Sequence, residues 1–299
     1  MKQPVRYSVL DPTGNITVLV ESPVDPSLRM SAASELMRIC PEAEQAGFVS
    51  FSSSDTAEVP VSLTMAGGEF CGNASMCAAA LYMIRRSGIA GEIWRKIENG
   101  PGSMSELRLS VSGAKEPVTV RLSPEGSEGA PEGWTWQTAI CMPAAVSILE
   151  KPFRFENLEG TLPVVELDGI SHIMIEPESA FAGLFKSRAA AEAAVREWCG
   201  ALGADGLGLM FLRTDPDGCF LTPLVYIPGC DTVFWENSCA SGSAAAGMYL
   251  ASKAGETVQA SFIEPGGCLR VSSDPQKKET WLHGRVRLLY TGDSVIRAE

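Results

Sequence analysis

The chain is 299 residues long, the length of about two domains of roughly 150 residues each. It carries 36 Asp and Glu against 24 Lys and Arg, a net charge of −12 with no basic run, which excludes a nucleic-acid surface because phosphates need clustered Lys and Arg. No apolar stretch approaches the ~18 residues of a membrane span, and the opening MKQPVRYSVLDPTG is too polar for a signal peptide, so a cytoplasmic chain without membrane or nucleic-acid partners is expected.

Short β-rich runs come first. Arg6–Leu10 and Ile16–Glu21 read as strands joined by the turn Asp11-Pro12-Thr13-Gly14. Asp25-Pro26 opens a helix, with a capping side chain followed by proline in the first turn, and Pro41 stops it after Ile39. Strands follow near Phe48–Phe51 and Pro60–Met65. A helix after Cys71 carries Ala78 to Arg86 and ends at Gly88. Glu106–Val111, Pro117–Leu122 and Trp134–Cys141 alternate as antiparallel strands do, with a surface loop at Ser123–Gly133. The boundary between halves is read within Pro143–Glu159, giving domains 1–145 and 146–299, the last strand free to return to the first half. The second half repeats the grammar: strands at Leu162–Leu167 and Ser171–Glu176, a helix over Ser187–Leu202 ending at Gly203, strands at Gly208–Arg213 and Cys219–Ile227. An alanine-rich helix then follows Cys239 and ends near Gly255, before strands at Val258–Ile263 and Arg285–Tyr290.

Nine cysteines stand in the chain against two histidines, His172 and His283. An odd number cannot all pair, and in a reducing compartment they are thiols. Zinc fits badly, since no C-x-x-C occurs and the histidines lie far from any cysteine pair; no metal is expected. Most of the nine read as buried small hydrophobes. Two are distinguished by a repeat. Glu69 to Tyr82 reads E-F-C-G-N-A-S-M-C-A-A-A-L-Y, and Asn237 to Leu250 reads N-S-C-A-S-G-S-A-A-A-G-M-Y-L. Each follows a strand-like run, Val61–Met65 or Thr232–Trp235, and passes from a cysteine through small or polar residues into an alanine-rich helix; Ser75 pairs with Ser243 and Ala78 with Ala246. A cysteine at a helix start sits at the positive end of the helix dipole, which favours a thiolate. The unpaired N–H groups there form an anion site. Two such helix starts facing each other would hold one carboxylate and set a thiol on each side of the adjacent carbon. Alone, either cysteine is more readily a buried helix-start residue; the recurrence in both halves favours chemistry.

Cys71-Gly72-Asn73-Ala74 with Cys77 resembles the first cysteine motif of the diaminopimelate epimerases, C-G-N-G-x-R-C, and Cys239-Ala240-Ser241-Gly242 resembles their second, A-C-G-[ST]-G. Gly14-Asn15 is similar to the family's early G-N, and Ser171-His172 to its G-N-P-H. The resemblance spans the chain in order and spacing. It implies an α/β (α+β) fold of two pseudo-symmetric halves, each a mixed, mainly antiparallel sheet wrapped round a central helix. It implies inversion of an amino-acid Cα without pyridoxal phosphate, metal or other cofactor, and dimers occur in the family. Carried over by position, Cys71 and Cys239 are the two acid–base residues, and the backbone of Gly72, Asn73, Ala240 and Ser241, with Ala74 and Gly242 beside them, surrounds the substrate carboxylate.

The departures bear on substrate. The family's E-R-G stretch is replaced by Ile227-Pro228-Gly229, and asparagines that hold the far end of diaminopimelate give way to Ile170 and about Gly206. Gly67-Gly68-Glu69-Phe70-Cys71 and Trp235-Glu236-Asn237-Ser238-Cys239 look more like the divergent branch containing histidine racemases of opine-metallophore pathways. Glu236, beside Asn237, is either a ligand for the substrate ammonium or a carboxylate in a surface turn. Asn15 either touches the substrate side chain or is a turn residue. His172 reads first as a satisfied structural histidine, Cys77 as packing, and Cys230 as a bystander or an oxidation partner. Rival readings are a diaminopimelate epimerase, a proline racemase or hydroxyproline epimerase (whose C-G-H would place a histidine at Asn73), a phenazine-pathway type of isomerase, and a non-catalytic amino-acid-binding protein.

Overall fold

Alternating apolar residues make strands along most of this chain, and runs of alanine make the helices on which they pack. The computed structural model describes residues 2–54, 56–87, 104–125 and 135–297. Two compact units are formed, Met1–Cys141 with His283–Glu299, and Met142–Leu282.

The first unit contains β1 (Lys2–Pro12), β2 (Thr17–Val20), α1 (Arg29–Ile39), β3 (Gln45–Phe51), β4 (Val61–Met65), α2 (Gly72–Ser87), β5 (Ser105–Val111), β6 (Val118–Glu125) and β7 (Thr135–Met142). The second contains β8 (Ser147–Phe155), β9 (Leu158–Leu167), β10 (Ile170–Ile175), α3 (Arg188–Leu202), β11 (Leu207–Asp215), β12 (Gly218–Ile227), β13 (Thr232–Trp235), α4 (Ala240–Ala254), β14 (Val258–Glu264) and β15 (Gly267–Asp274). The last strand, β16 (Glu279–Arg297), starts in the second unit and runs on into the first. There it pairs antiparallel with β1, from Lys2 opposite Arg297 to Pro12 opposite Val286. The order β1-β2-β3-β4-β5-β6-β7-β16 therefore closes on itself.

Each unit has one helix outside its sheet and one inside. In the first, α1 links the parallel pair β2 and β3, and α2 links the parallel pair β4 and β5. In the second, α3 links the parallel pair β10 and β11, and α4 lies between β12 and its parallel partner β14. Remaining neighbours such as β3–β4, β5–β6, β11–β12 and β14–β15 are antiparallel. The outer helix α3 packs Ala191, Ala194, Val195 and Trp198 into a core with Phe153, Phe155 and Phe181. The inner helices are buried on every side. Ala74, Met76, Cys77, Ala78, Ala79, Ala80 and Leu81 of α2 and Ala244, Ala245, Ala246 and Ala251 of α4 have no exposed surface. A helix apolar all round belongs in a core, and side chains this small let strands approach it from several directions.

Local signals set the helix ends. Ser187 caps α3 by accepting the Ala190 N–H, and α4 ends at Gly255 with φ at +73°, a conformation that costs glycine nothing. Asp25 also caps, accepting the Ser27 N–H at 2.9 Å, but the chain there makes a 3-10 turn over Pro26–Leu28 before α1 begins. Two strands depart from the sequence expectation. The stretch read as the boundary between halves holds β8, an edge strand whose only buried residues are Phe153 and Phe155, so its alternation is faint. The other, β15, fills a stretch given no element in the sequence, although Leu269, Val271 and Ser273 alternate inward. The predicted helix end at Gly88, Trp134 and most of the predicted loop at 123–133 lie outside the described residues; Trp136 is in the core. No helix among the described residues is long and apolar enough to cross a membrane.

The fit around α4 gives a direct test. A Cβ added at Gly247 would stand 2.4 Å from Val271 Cγ1 and 3.2 Å from Val271 Cβ. The obstacle is a stiff β-branched side chain, so Gly247→Ala is expected to destabilise the protein by about 1–3 kcal/mol despite alanine's better helix propensity. Urea denaturation measures it, and a stabilised variant would contradict the packing.

Candidate active site

In the first unit, α2 begins at the residue after Cys71. The Cys71 carbonyl accepts the first helical N–H, from Ser75, at 3.0 Å. The Cys71 sulfur accepts the Ala74 N–H at 3.4 Å, the place a serine or aspartate oxygen takes in an ordinary cap. Gly72, Asn73 and Ala74 make the first turn and are buried. Cys71 itself is half-buried and donates its S–H to Gln45 Oε1 at 2.9 Å. The Gln45 amide donates in turn to Thr17 Oγ1 at 2.7 Å, and the Thr17 hydroxyl to the Asn15 carbonyl at 3.0 Å. Asn15, buried at 1% exposure, is thus tied to the Cys71 sulfur through two side chains. Ser112 and Gly113, just past β5, fix the approach to Cys71. Ser112 Oγ donates to the Glu69 carbonyl at 2.9 Å and accepts the Met65 N–H at 2.9 Å. Gly113 has φ at +74°, and a Cβ there would lie 2.2 Å from the Phe70 nitrogen, so only glycine fits. Cys77 is fully buried beyond Cys71; burial first, then the neighbouring Cys71, pushes its thiol well above its ordinary value, which keeps it a packing residue.

The second unit repeats the arrangement. Cys239 caps α4: its carbonyl accepts from the Ser243 N–H at 2.8 Å and its sulfur from the Gly242 N–H at 3.4 Å. Ala240, Ser241 and Gly242 form a buried first turn, with the Ser241 hydroxyl 3.6 Å from the sulfur. A Cβ at Gly242 would stand 2.3 Å from Met210 Sδ and 3.1 Å from Cys239 Sγ, so its glycine makes room for the thiol. The half-buried Glu236 bonds to the thiol through its side chain. Asn237 is exposed, and its carbonyl accepts the Gly266 N–H at 2.7 Å, anchoring the segment before Cys239. Glu264 accepts the Cys239 N–H at 2.6 Å and also the Ser243 hydroxyl. Burial pushes the Cys239 thiol well above its ordinary value, and the charges of Glu236 and Glu264 add to this.

The structure therefore gathers Asn15, Cys71, Gly72, Asn73 and Ala74 at one helix start and Glu236, Cys239, Ala240, Ser241 and Gly242 at another, with Asn237 at the rim. Each is a thiol set among helix N–H groups, an arrangement that binds a carboxylate and moves protons. Sequence reasoning passed over Gln45, Thr17, Ser112, Gly113 and Glu264. Only Glu264 carried a usable signal: period-two alternation along V-Q-A-S-F-I-E puts its charge on the strand face that also buries Phe262. Among the described residues no group of three or more His, Cys, Asp or Glu is placed to hold a metal ion.

His172 corrects one expectation. It is fully buried, but neither ring nitrogen has a hydrogen-bond partner among the described residues, so it is not a satisfied histidine. It stands opposite Gly208 in the β10–β11 register, where a Cβ would lie 2.4 Å from Nδ1 and 2.6 Å from Met210 Cε. Burial lowers it to about 3, so it is neutral. The unfolded chain takes up its proton near pH 6.5 and the folded protein does not, so this residue makes stability fall as pH drops from about 6.5 toward 3. His172→Leu is expected to flatten the acid limb of unfolding free energy by about 1.4 kcal/mol per pH unit between these values. Urea titrations across that range measure it; parallel limbs in the two proteins would refute it.

The profile of the family described as "Histidine racemase CntK N-terminal domain" matches residues 4–294. A histidine racemase of Staphylococcus aureus is 26% identical over 302 aligned residues, covering 99% of this chain and 99% of that protein. One of Fusobacterium nucleatum subsp. nucleatum is 25% identical over 300, covering 98% of each. Among solved structures, a hydroxyproline epimerase of Agrobacterium vitis with bound trans-4-OH-L-proline aligns with a TM-score of 0.64 at 12% identity, over 98% of this chain and 92% of its own, which shows a shared fold. The profile match runs through both cysteine-capped helices, and the chain belongs to the histidine racemase CntK N-terminal domain family.

Proposed function

We propose that this protein is a cofactor-independent amino-acid racemase acting on free histidine, with Cys71 and Cys239 as its two acid–base groups. The observation that carries the reading is the repeated cap: in each unit a cysteine sulfur accepts the N–H three residues on, at 3.4 Å, at the start of a helix buried on all sides. The full-length relatives named histidine racemases support histidine as substrate.

The chemistry follows from these groups. The substrate carboxylate takes first-turn N–H groups of a cysteine-capped helix, the candidates being those of Gly72, Asn73, Ala240 and Ser241. The half-buried carboxylate of Glu236 receives the substrate ammonium, and Asn15 and Asn73 supply polar contacts. One cysteine, as thiolate, takes the Cα proton: the C–H bond breaks, its electron pair stays on carbon, and an S–H bond forms. The other cysteine, as thiol, gives its proton to the opposite face: its S–H bond breaks, a new C–H bond forms, and a thiolate is left. The reverse reaction exchanges the roles. Fixed helix N–H groups stabilise the negative charge spreading onto the carboxylate as the carbanion forms. A buried sulfur with a raised proton affinity, such as Cys239, is a strong base once it has lost its proton. Thiols that must stay reduced suit a cytoplasmic setting.

Incubation of L-histidine with the protein in D2O is expected to abolish optical rotation while deuterium enters Cα. Cys71→Ala and Cys239→Ala are each expected to reduce inversion by roughly 10²–10⁴-fold with the fold intact by circular dichroism. Full activity in either variant would sink the two-thiol mechanism. Binding of one enantiomer by calorimetry without any isotope exchange would instead make the protein a binder, and preferential turnover of diaminopimelate would displace histidine.

A further inference from the structure

Glu264 ends β14 at 5% exposure, and the mechanism above leaves it unused. Its Oε2 accepts the Cys239 N–H at 2.6 Å, while Oε1 meets the Ser243 hydroxyl. The carboxyl therefore sits at the positive end of α4, enclosed together with the Cys239 thiol. The segment after β13 presents Glu236 and Cys239 to this place, and α4 presents the hydroxyls of Ser241 and Ser243. On β15, Gly267 stands opposite Glu264, followed by the buried, apolar Leu269 and Val271. On β12, the pairing with β14 is through Cys219 and Phe220. The carboxylate of Glu236 acts on both groups, and that of Glu264 on Cys239.

Burial disfavours a charge on either group, and a charge on one makes a charge on the other harder still. Burial pushes the Glu264 carboxyl up to about 8, with Ser243 and the Cys239 N–H pulling it back. The first unit arranges the matching serine differently. There the equivalent serine, Ser75, donates to the Cys71 carbonyl at 2.7 Å, and the thiol faces the neutral amide of Gln45.

On the reading of Cys239 as an acid–base group, we propose that Glu264 is a positioning residue that must keep its proton for Cys239 to act as a thiolate, the pair carrying at most one negative charge. Glu264 takes no part in the proton balance. The Cα proton moves to the Cys239 sulfur, Cys71 delivers its own to the other face, and the Glu264 proton stays where it is. A protonated carboxyl still fits its site, donating its O–H to Ser243 Oγ while its carbonyl oxygen accepts the Cys239 N–H. The start of α4 is therefore held in both states. Once Glu264 ionises, a second charge on the neighbouring sulfur is disfavoured, so full formation of the Cys239 thiolate is pushed to higher pH.

Glu264→Gln, which cannot ionise, tests this in the full chain. The pH dependence of iodoacetamide alkylation, read at each cysteine by peptide mass spectrometry, needs no substrate. The Cys239 midpoint is expected to fall by about one pH unit or more in the variant while the Cys71 midpoint stays. Ser243→Ala keeps the carboxyl but removes a bond that stabilises its anion, so it too is expected to lower the Cys239 midpoint, by less; this variant carries the test if Glu264→Gln does not fold. An unmoved Cys239 midpoint overturns the proposal, as does faster alkylation at every pH with no shift of midpoint, which is what simple loosening of the helix start gives. Absence of isotope exchange in the parent protein would instead count against the racemase reading, and the alkylation result would stand apart from it.

Discussion

The start of a helix buried on all sides is the constraint from which the rest of this protein follows. Its first N–H groups have no partner within the helix, and enclosure keeps most water from them. In both units the sulfur of a cysteine answers one of these groups. Enclosing a helix also demands small residues along it, hence the alanine runs of α2 and α4 and the glycines at 242 and 247. A sheet that surrounds a helix needs strands on several sides, hence the closed order of the first unit.

The units share a plan but not an electrostatic environment. Cys71 belongs to a neutral relay of amide and hydroxyl groups ending at a backbone carbonyl. Cys239 sits between two carboxyl groups. Racemisation interconverts mirror images of equal free energy, but no such symmetry binds the protein that performs it. Unlike surroundings at the two helix starts are therefore compatible with a reaction whose two endpoints are equal in free energy.

Much of this was legible in the residues. Helices α3 and α4 are bounded by residues whose chemistry stops a helix: Ser187 and Cys239 at the starts, Gly203 and Gly255 at the ends. The cysteine repeat was visible because the constraint on a buried helix start is local, a cap followed by small residues. Gln45 and Ser112 were not, because each touches the cysteine region from 26 and 43 residues away and nothing in its own neighbourhood marks it. The edge strand β8 escaped for a different reason. It buries only two side chains, and a strand with little to bury has little pattern to show.

Strand β16 links the two ends of the chain: Lys2 lies opposite Arg297 in one ladder. The second unit is one unbroken stretch, Met142–Leu282, inserted into the first. Without β16, β1 and β7 are open edges, and open edges recruit other strands. The segment that follows the inserted unit is thus the latch of the ring that was begun before it.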